Sequence, residues 1–312
     1  MIVFHEPSDV PDGFGPSVVA IGKFDGVHRG HRAVLARAKA DAAAVEAKTV
    51  AVTFDRNPLQ VLRPDVCPPD VIGVHQKLRL LADTGIDATL LLHFDRRLAS
   101  LPAEEFVDHV LVDALGVRTV LVGHDFRFGR GGRGTPELLR ELGTRYGFDV
   151  DLIADVRSDA DAQRVSSTRI RQALSEGEVD VAGELLGRAP SVRGEVVHGL
   201  KRGRELGFPT ANLAHDLEGF VPADGIYAGW LVDEGGIRRP AAISVGTNPT
   251  FDDVPVRQVE AYVLDETDLD LYGRIVDVEF VTRIRGMIAF EGVDALTAQM
   301  ADDVALVRRA LS

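Results

Sequence analysis

Residues 18–21 are an unbroken apolar run, Val-Val-Ala-Ile, the mark of a strand buried on both faces. Gly22 and Gly26 then punctuate a tight turn, and helical spacing begins at His28. Residues 31–48 are Ala-rich and amphipathic, predicting a helix, and 49–54 return to strand character. A second cycle predicts a helix at 76–82, a strand at 88–92, a helix at 103–115 and a strand at 119–122. Strands alternating with helices predict a parallel, doubly wound sheet, in which ligands bind beyond the carboxyl ends of the strands. Chemistry is therefore expected in 23–31, 55–58, 93–97 and 124–134.

Past residue 186 helical periodicity disappears. Gly187-Arg-Ala-Pro-Ser191 reads as a hinge, and short β-type runs at 192–197, 225–232, 241–245, 258–264 and 275–281 follow, separated by Gly, Pro, Asn and Asp. That texture predicts a small antiparallel barrel or sandwich. Val293, Leu296, Met300, Val304, Val307 and Leu311 recur every three or four residues, predicting a closing helix whose one apolar stripe packs on the barrel. The expected fold is thus α/β plus β, in two domains at 1–184 and 185–312, as the length of 312 residues also favours.

Composition narrows the function classes. A formal net charge of −13 opposes non-specific attraction to nucleic acid or anionic membranes, so a phosphate ligand must be held by local positive clusters. The single cysteine, Cys67, excludes an intramolecular disulfide framework and suits a reducing cytosol. The N-terminal residues lack the basic start and apolar stretch of a signal peptide, and no apolar span is long enough to cross a bilayer. A cytoplasmic protein without nucleic-acid or membrane partners is expected. The pattern does not decide between a monomer and a homo-oligomer.

Three segments of the first half carry candidate chemistry. His28 and His31 share a helix face at a helix N-terminus, where free N–H groups and the dipole already favour anions, so the imidazoles add donors toward the same phosphates. A zinc pair is the competing reading, disfavoured because no acidic residue follows at ligand spacing and cysteine is all but absent. The Gly-rich stretch 123–134 follows a predicted strand. Phe126 and Phe128 could stack on a flat aromatic ligand there, with Arg127, Arg130 and Arg133 meeting phosphate; a solvated loop or an RGG-like RNA segment are the alternatives. Arg164-Val-Ser-Ser-Thr-Arg-Ile-Arg171 precedes a short helix with hydroxyls at its cap and reads as a second anion site. A plain N-cap would explain its hydroxyls but not the density of positive charge.

In the second half, residues 194–212 run from a strand through a basic Gly-rich loop into Phe208-Pro-Thr-Ala-Asn212. Backbone N–H groups at Gly199 and Gly203 can form an anion-binding concavity. Thr210 and Asn212, two apart in extended chain, face one side and can share a Mg²⁺ that bridges ATP phosphates. An ordinary hairpin with turn residues is the alternative.

These motifs together carry a resemblance. Gly22-Lys-Phe-Asp-Gly-Val-His-Arg-Gly-His31 and Ser166-Ser-Thr-Arg-Ile-Arg171 resemble the two signatures of HxGH nucleotidyltransferases, and more narrowly the adenylyltransferase module of bacterial bifunctional riboflavin kinase/FAD synthetases. The segment 194–212, with Pro222-Ala-Asp-Gly-Ile-Tyr227, Gly246-Thr-Asn-Pro-Thr-Phe251 and Val259-Glu-Ala-Tyr-Val-Leu-Asp265, resembles the flavokinase barrel of the same family. The resemblance implies ATP-dependent phosphorylation of riboflavin to FMN, then adenylylation of FMN to FAD, with Mg²⁺ needed for both. It implies ATP contacts at Gly22, Phe24, His28, His31, Ser167, Thr168 and Arg171 in the first module, flavin contacts at Asp125, Phe126 and Phe128, and Glu260 as general base of the kinase, with Glu279 the nearest competing strand carboxylate. Arg285 falls where the family has a flavin-covering flap; Arg283 and Arg285 as plain surface charges are the alternative. Two departures stand out: Arg56-Asn57-Pro58 replaces a frequent Pro-His-Pro, and His124 precedes Asp125 where an acidic residue is common. The rival functions are a kinase alone, with a degenerate first module, or a non-catalytic flavin- or nucleotide-binding protein.

Overall fold

The computed structural model describes residues 1–158, 160–198, 207–248, 256–266 and 269–312, with backbone only at 247, 248 and 256. The chain forms two compact units. One comprises 1–70 and 74–165, the other 71–73 and 166–312.

The first unit is a six-stranded, all-parallel sheet in the order β1-β4-β3-β2-β5-β6. Its strands are β1 (Ile2–Phe4), β2 (Ser17–Ile21), β3 (Lys48–Phe54), β4 (Ala88–Leu92), β5 (Val117–Gly123) and β6 (Asp149–Ile153). Every residue of β2 and β4 is buried, as their continuous apolar runs require of strands covered on both faces. The edge strands β1 and β6 escape the sequence pattern, β1 because it is three residues long and β6 because Asp149 and Asp151 interrupt it. The order reverses at β2, between β3 and β5, so the carboxyl ends of β2 and β5 flank the crevice where such sheets bind ligands.

Helix α1 spans Arg29–Ala44 with His28 as its N-cap, opening two residues before the expected 31–48 helix, where the spacing that begins at His28 already points, and ending four residues short of it. Helix α2 is Val74–Ala82. The expected 103–115 helix is one α-helical turn, α3 (Ala103–Phe106), continued by a π-helix over Val107–Ala114. Helix α4 (Pro136–Tyr146) opens on Thr135, whose side chain accepts from Leu138 N–H, and ends on left-handed Gly147.

In the second unit α5 (Ser167–Glu176) and α6 (Val179–Leu186) precede a closed barrel in the order β10-β11-β8-β7-β12-β9. The strands are β7 (Ser191–Val197), β8 (Thr210–Leu213), β9 (Gly225–Asp233), β10 (Arg238–Asn248), β11 (Val256–Val263) and β12 (Ile275–Arg285), all antiparallel to their neighbours. Closure settles the barrel-or-sandwich question. Tyr227, Leu231, Ile243, Val245, Val259, Ala261, Val278 and Phe280 fill the buried side of the wall, the Tyr227 ring edge-on to Phe280. Helix α7 (Val293–Leu311) lays Val304, Val307 and Leu311 against Ala228, Leu264, Ala242, Tyr262 and Ile284. The amino-terminal end of the expected stripe is less committed, with Val293 59% exposed. Helix α6 packs on β12, so the barrel's compact unit begins at Ser166, upstream of the textural hinge at 187–191.

Candidate functional site

Both units hold candidate residues. In the first, the chain leaves β2 through a turn that takes three left-handed residues: Phe24 (φ 47°), Gly26 (φ 88°) and Val27 (φ 38°). Left-handed backbone at a β-branched residue is a real strain, of the kind that collects at binding sites. Burial holds it in place, since Val27 is fully buried and Phe24 nearly so. The turn delivers His28 to the cap of α1, where its Nδ1 accepts the His31 backbone N–H at 3.3 Å. That bond leaves Nδ1 of His28 unprotonated and puts the proton of the neutral ring on Nε2.

The two imidazoles stack, with centroids 3.6 Å apart and planes 16° from parallel. Gly30 permits this approach, because a Cβ there would lie 3.1 Å from the His28 ring. The Phe24 ring stands edge-on to His31 at 5.2 Å. Phe24, expected among the ATP contacts, is thus a buried prop for His31 in this arrangement. Nδ1 of His31 is buried with no hydrogen-bond partner among the described residues, a costly state unless a ligand completes it. Burial holds His31 well below the usual imidazole range, and the charges of His28 and Lys77 push it further down.

The β5 end carries 123–134. Phe128 is buried against Phe106, and Phe126 stacks on Phe128 at 5.4 Å, giving a ladder of three rings whose half-buried outer member is Phe126. Phe128 is therefore core, and Phe126 is the ring on which a flat ligand could lie. Asp125 is exposed and meets Arg164 at 3.2 Å, while Arg164 also pairs with Asp155 at 3.1 Å. Asn57, one of the departures, accepts the Leu59 N–H at 3.2 Å and so caps the short helix Pro58–Leu62. Asp55, two residues before it, accepts from the Phe94 N–H and lies 2.7 Å from His93 Nδ1; both fall in strand-end segments where chemistry is expected, but the sequence does not reveal that they pair.

Ser167, Thr168 and Arg171 open α5 in the second unit. Ser166 is the cap, accepting from the Arg169 N–H, and the Arg171 guanidinium reaches the Thr168 hydroxyl at 3.4 Å.

The barrel cluster depends on register. Glu260 on β11 lies directly opposite Asn212 on β8, and Tyr262 opposite Thr210. Alternation then puts Glu260 and Tyr262 on one face, and Tyr262 packs with α7, so that face is the outer wall of the barrel. The Thr210 hydroxyl donates to Glu260 Oε2 at 3.3 Å, the Asn212 amide donates to Thr210 Oγ1 at 3.2 Å, and Gln258 donates to Asn212 Oδ1 at 3.1 Å. Burial pushes the Glu260 carboxyl above its usual range and the Thr210 bond offsets part of that. Glu279, the competing carboxylate, is occupied by Arg238 at 2.9 Å. Thr210 also borders a cavity of about 310 Å³ whose wall includes Val196, Pro209, Val263, Asp270 and Tyr272. Hydroxyl, amide and carboxylate oxygens in one place are the donor set of a hard divalent cation; a half-turn of the Asn212 amide brings its oxygen beside the Thr210 hydroxyl. Gly199 and Gly203 lie outside the described residues.

Arg285 is tied into the fold. Its Nε and Nη2 grip Asp303 of α7 at 2.9 and 2.6 Å, and Nη1 donates to the Gly286 carbonyl at 3.0 Å. Asp303 is 4% exposed, a carboxylate inside the apolar stripe that the periodicity did not reveal.

A family model described as FAD synthetase matches residues 12–169, and one described as riboflavin kinase matches 186–311. A protein of Escherichia coli K12 named bifunctional riboflavin kinase/FMN adenylyltransferase is 38% identical over 286 residues, covering 92% of this chain and 90% of its own. A protein of the same name from Pseudomonas fluorescens is 38% identical over 291 residues, 93% of this chain and 92% of its own. A crystal structure from Streptococcus pneumoniae, described as a macrolide-efflux protein, matches with a TM-score of 0.84 and 33% identity across 98% of each chain. No helix among the described residues is long and apolar enough to cross a membrane.

Proposed function

This chain belongs to the family of bifunctional riboflavin kinase/FMN adenylyltransferases, and from that premise we infer how its residues divide the two reactions. The enzyme phosphorylates riboflavin with ATP, giving FMN and ADP, and adenylylates FMN with a second ATP, giving FAD and pyrophosphate.

In the kinase half, assigned to 185–312, Glu260 takes the proton of the riboflavin 5′-hydroxyl as its oxygen attacks the γ-phosphorus and ADP departs. The juxtaposition of Glu260 with Thr210 and Asn212 carries this assignment. A base needs a carboxylate beside the phosphate-holding groups, and this one is kept partly out of water, where its proton affinity is higher. Thr210 and Asn212 would hold Mg²⁺, which when bound supplies positive charge to the ATP phosphates. The cavity bordered by Thr210 takes ATP, the Gly199 and Gly203 amides receive its phosphates, and Arg285, clamped by Asp303, adds its remaining N–H groups on the flavin side.

In the adenylyltransferase half, assigned to 1–184, a phosphate oxygen of FMN attacks the α-phosphorus of ATP directly, and no enzyme-bound intermediate is required. The protein aligns the two phosphates and neutralises the departing pyrophosphate. His28 and His31 at the α1 terminus and the amides of the 22–28 turn bind the triphosphate. The resemblance gives Ser167, Thr168 and Arg171, on α5, a phosphate-binding role as well. Phe24 seats His31. Phe126, stacked on Phe128, offers its face to the flavin beside Asp125. We place the enzyme in the cytoplasm with riboflavin, FMN, FAD and ATP as its partners, and Mg²⁺ as the metal of both steps.

Labelled riboflavin incubated with Mg-ATP tests the whole reading. FMN should appear first and FAD after it; FMN that accumulates without FAD would leave a kinase alone, and no conversion would leave a binding protein.

A further inference from the structure

The two ends of α5 serve different halves of the chain. Its first turns carry Ser167, Thr168 and Arg171, in the half assigned to adenylyl transfer, yet the whole helix belongs to the compact unit of the barrel. The helix terminates by itself. Gly177 is left-handed at φ 82°, its N–H reaches the Leu174 carbonyl at 3.1 Å, and the Glu178 N–H reaches the Ala173 carbonyl at 2.8 Å. Two further bonds then come from the barrel. The Ala223 N–H donates to the Leu174 carbonyl at 2.9 Å, and Nη1 of Arg283, on β12, donates to the Glu176 carbonyl at 3.3 Å. Nη2 of the same guanidinium donates at 2.6 Å to the carbonyl of Asp224, just before β9, so one side chain ties two barrel segments to the end of α5.

The strand is shaped to aim Arg283 there. The β12–β9 register shifts twice, between Phe280 and Thr282 and between Arg283 and Arg285, and such irregularities redirect side chains. Ile284 and Arg285, neighbours that a regular strand sends to opposite faces, both meet α7, while Arg283 turns to α5. Two glycines leave room for the guanidinium: a Cβ on Gly225 would lie 2.9 Å from its Nε, and one on Gly177 2.8 Å from its Nη1. Since Gly177 already ends the helix, capping does not account for the arginine. Its bonds fix where α5 stands on the barrel.

We propose that Arg283 is a positioning residue for adenylyl transfer supplied by the kinase barrel: through the carboxyl-terminal end of α5 it sets the place of the phosphate-binding groups toward the amino-terminal end. The proposal rests on the reading that Ser167, Thr168 and Arg171 bind ATP phosphates. Ten residues of helix make a stiff rod about 15 Å long, so a tilt at one end displaces the other, and catalysis by alignment is sensitive to shifts of about 1 Å. FAD formation thus depends on a residue of the other half, one that riboflavin phosphorylation does not need.

The test is the kinetics of both reactions in the full-length enzyme, read beside amide hydrogen exchange of α5. R283M keeps the apolar stem and removes the donors. It should lower kcat/KM for ATP in FAD formation about tenfold, with the kinase constants within about twofold of wild type. Amides of α5 should exchange faster while those of β10 keep their protection. R283K retains the charge and a donor and should recover most of the loss, and R283Q stands in should R283M fail to fold. R238M removes another arginine held on β12, at Glu279, and should leave FAD formation unchanged. Wild-type kcat/KM in the donor-free variant, a matching fall in the kinase reaction, an equal loss in R238M, or unaltered exchange in α5 overturns the proposal. An R171A enzyme with full FAD formation instead defeats the reading of α5 as a phosphate site, an outcome the exchange measurement does not share.

Discussion

The His28 and His31 rings stack 3.6 Å apart while Nδ1 of the first accepts the backbone N–H of the second, so one side chain both caps α1 and presents an imidazole at its positive end. The two roles separate by substitution. H28A should lose the cap, about 1 kcal/mol of stability, together with adenylyl transfer. H28N keeps an acceptor for the His31 N–H, so its stability should stay near wild type while FAD formation falls at least tenfold and FMN formation continues. Thermal melts and a two-product assay check both; an H28N enzyme with full FAD-forming rate sinks the phosphate role.

Glu260 should reveal itself through opposed effects. Its carboxyl is held above the usual range in the folded chain, so the folded state binds this proton more tightly than the unfolded state. At pH values above the folded pKa both states are ionised and the group costs stability; the cost fades as pH falls through the folded pKa toward the unfolded one. E260Q should therefore melt at or about 1–3 °C above wild type at neutral pH. Its riboflavin phosphorylation should drop about 100-fold or more. A variant that melts lower and keeps its rate contradicts both roles.

Thr210 lowers the Glu260 pKa by donating to it, in opposition to burial. T210V removes the donor, so the acidic limb of the kinase pH–rate profile should move to higher pH. T210S retains the hydroxyl and should leave the limb in place. Coincident profiles for all three enzymes would remove the hydrogen bond from the account.

The Arg285–Asp303 pair joins β12 to α7 with both groups largely out of water. R285A leaves the buried Asp303 carboxylate without its cation, with the Gln299 amide still donating to Oδ1 at 3.0 Å, which should cost about 3 kcal/mol. Replacing both by apolar residues of similar size should recover much of the stability without restoring flavin phosphorylation. Denaturant unfolding followed at Trp230, in β9 of the barrel, measures the first effect, and the assay measures the second.

The ladder of Phe106, Phe128 and Phe126 predicts a gradient. F128A empties a core position and should cost about 3–5 kcal/mol. F126A should cost markedly less stability and instead raise the KM for FMN in FAD formation. Equal losses of stability from the two would place Phe126 in the core and deny it a ligand.

Much of this molecule was legible in its residues. Continuous apolar runs gave β2 and β4 because strands covered on both faces need no polar side, and the change of period past residue 186 separated sheet from barrel. His28, His31, Thr210, Asn212 and Glu260 were named from motif and spacing, and the fold groups them as two clusters, one in each compact unit. Local signals suffice for such features, since a turn, a cap and an alternating strand are decided within a few residues.

Tertiary structure decided what lies opposite what. Phe24 and Phe128 become packed supports, and Asp303 enters an apolar stripe only because Arg285, 18 residues away, is there to meet it. Thr210 reaches Glu260 across 50 residues through one strand register, and a slip of a single residue would send the carboxylate to the other face of the barrel. Lys77 reads as an ordinary helix lysine until packing takes it out of water. Burial and register are properties of how distant segments meet, so no window of the sequence contains them.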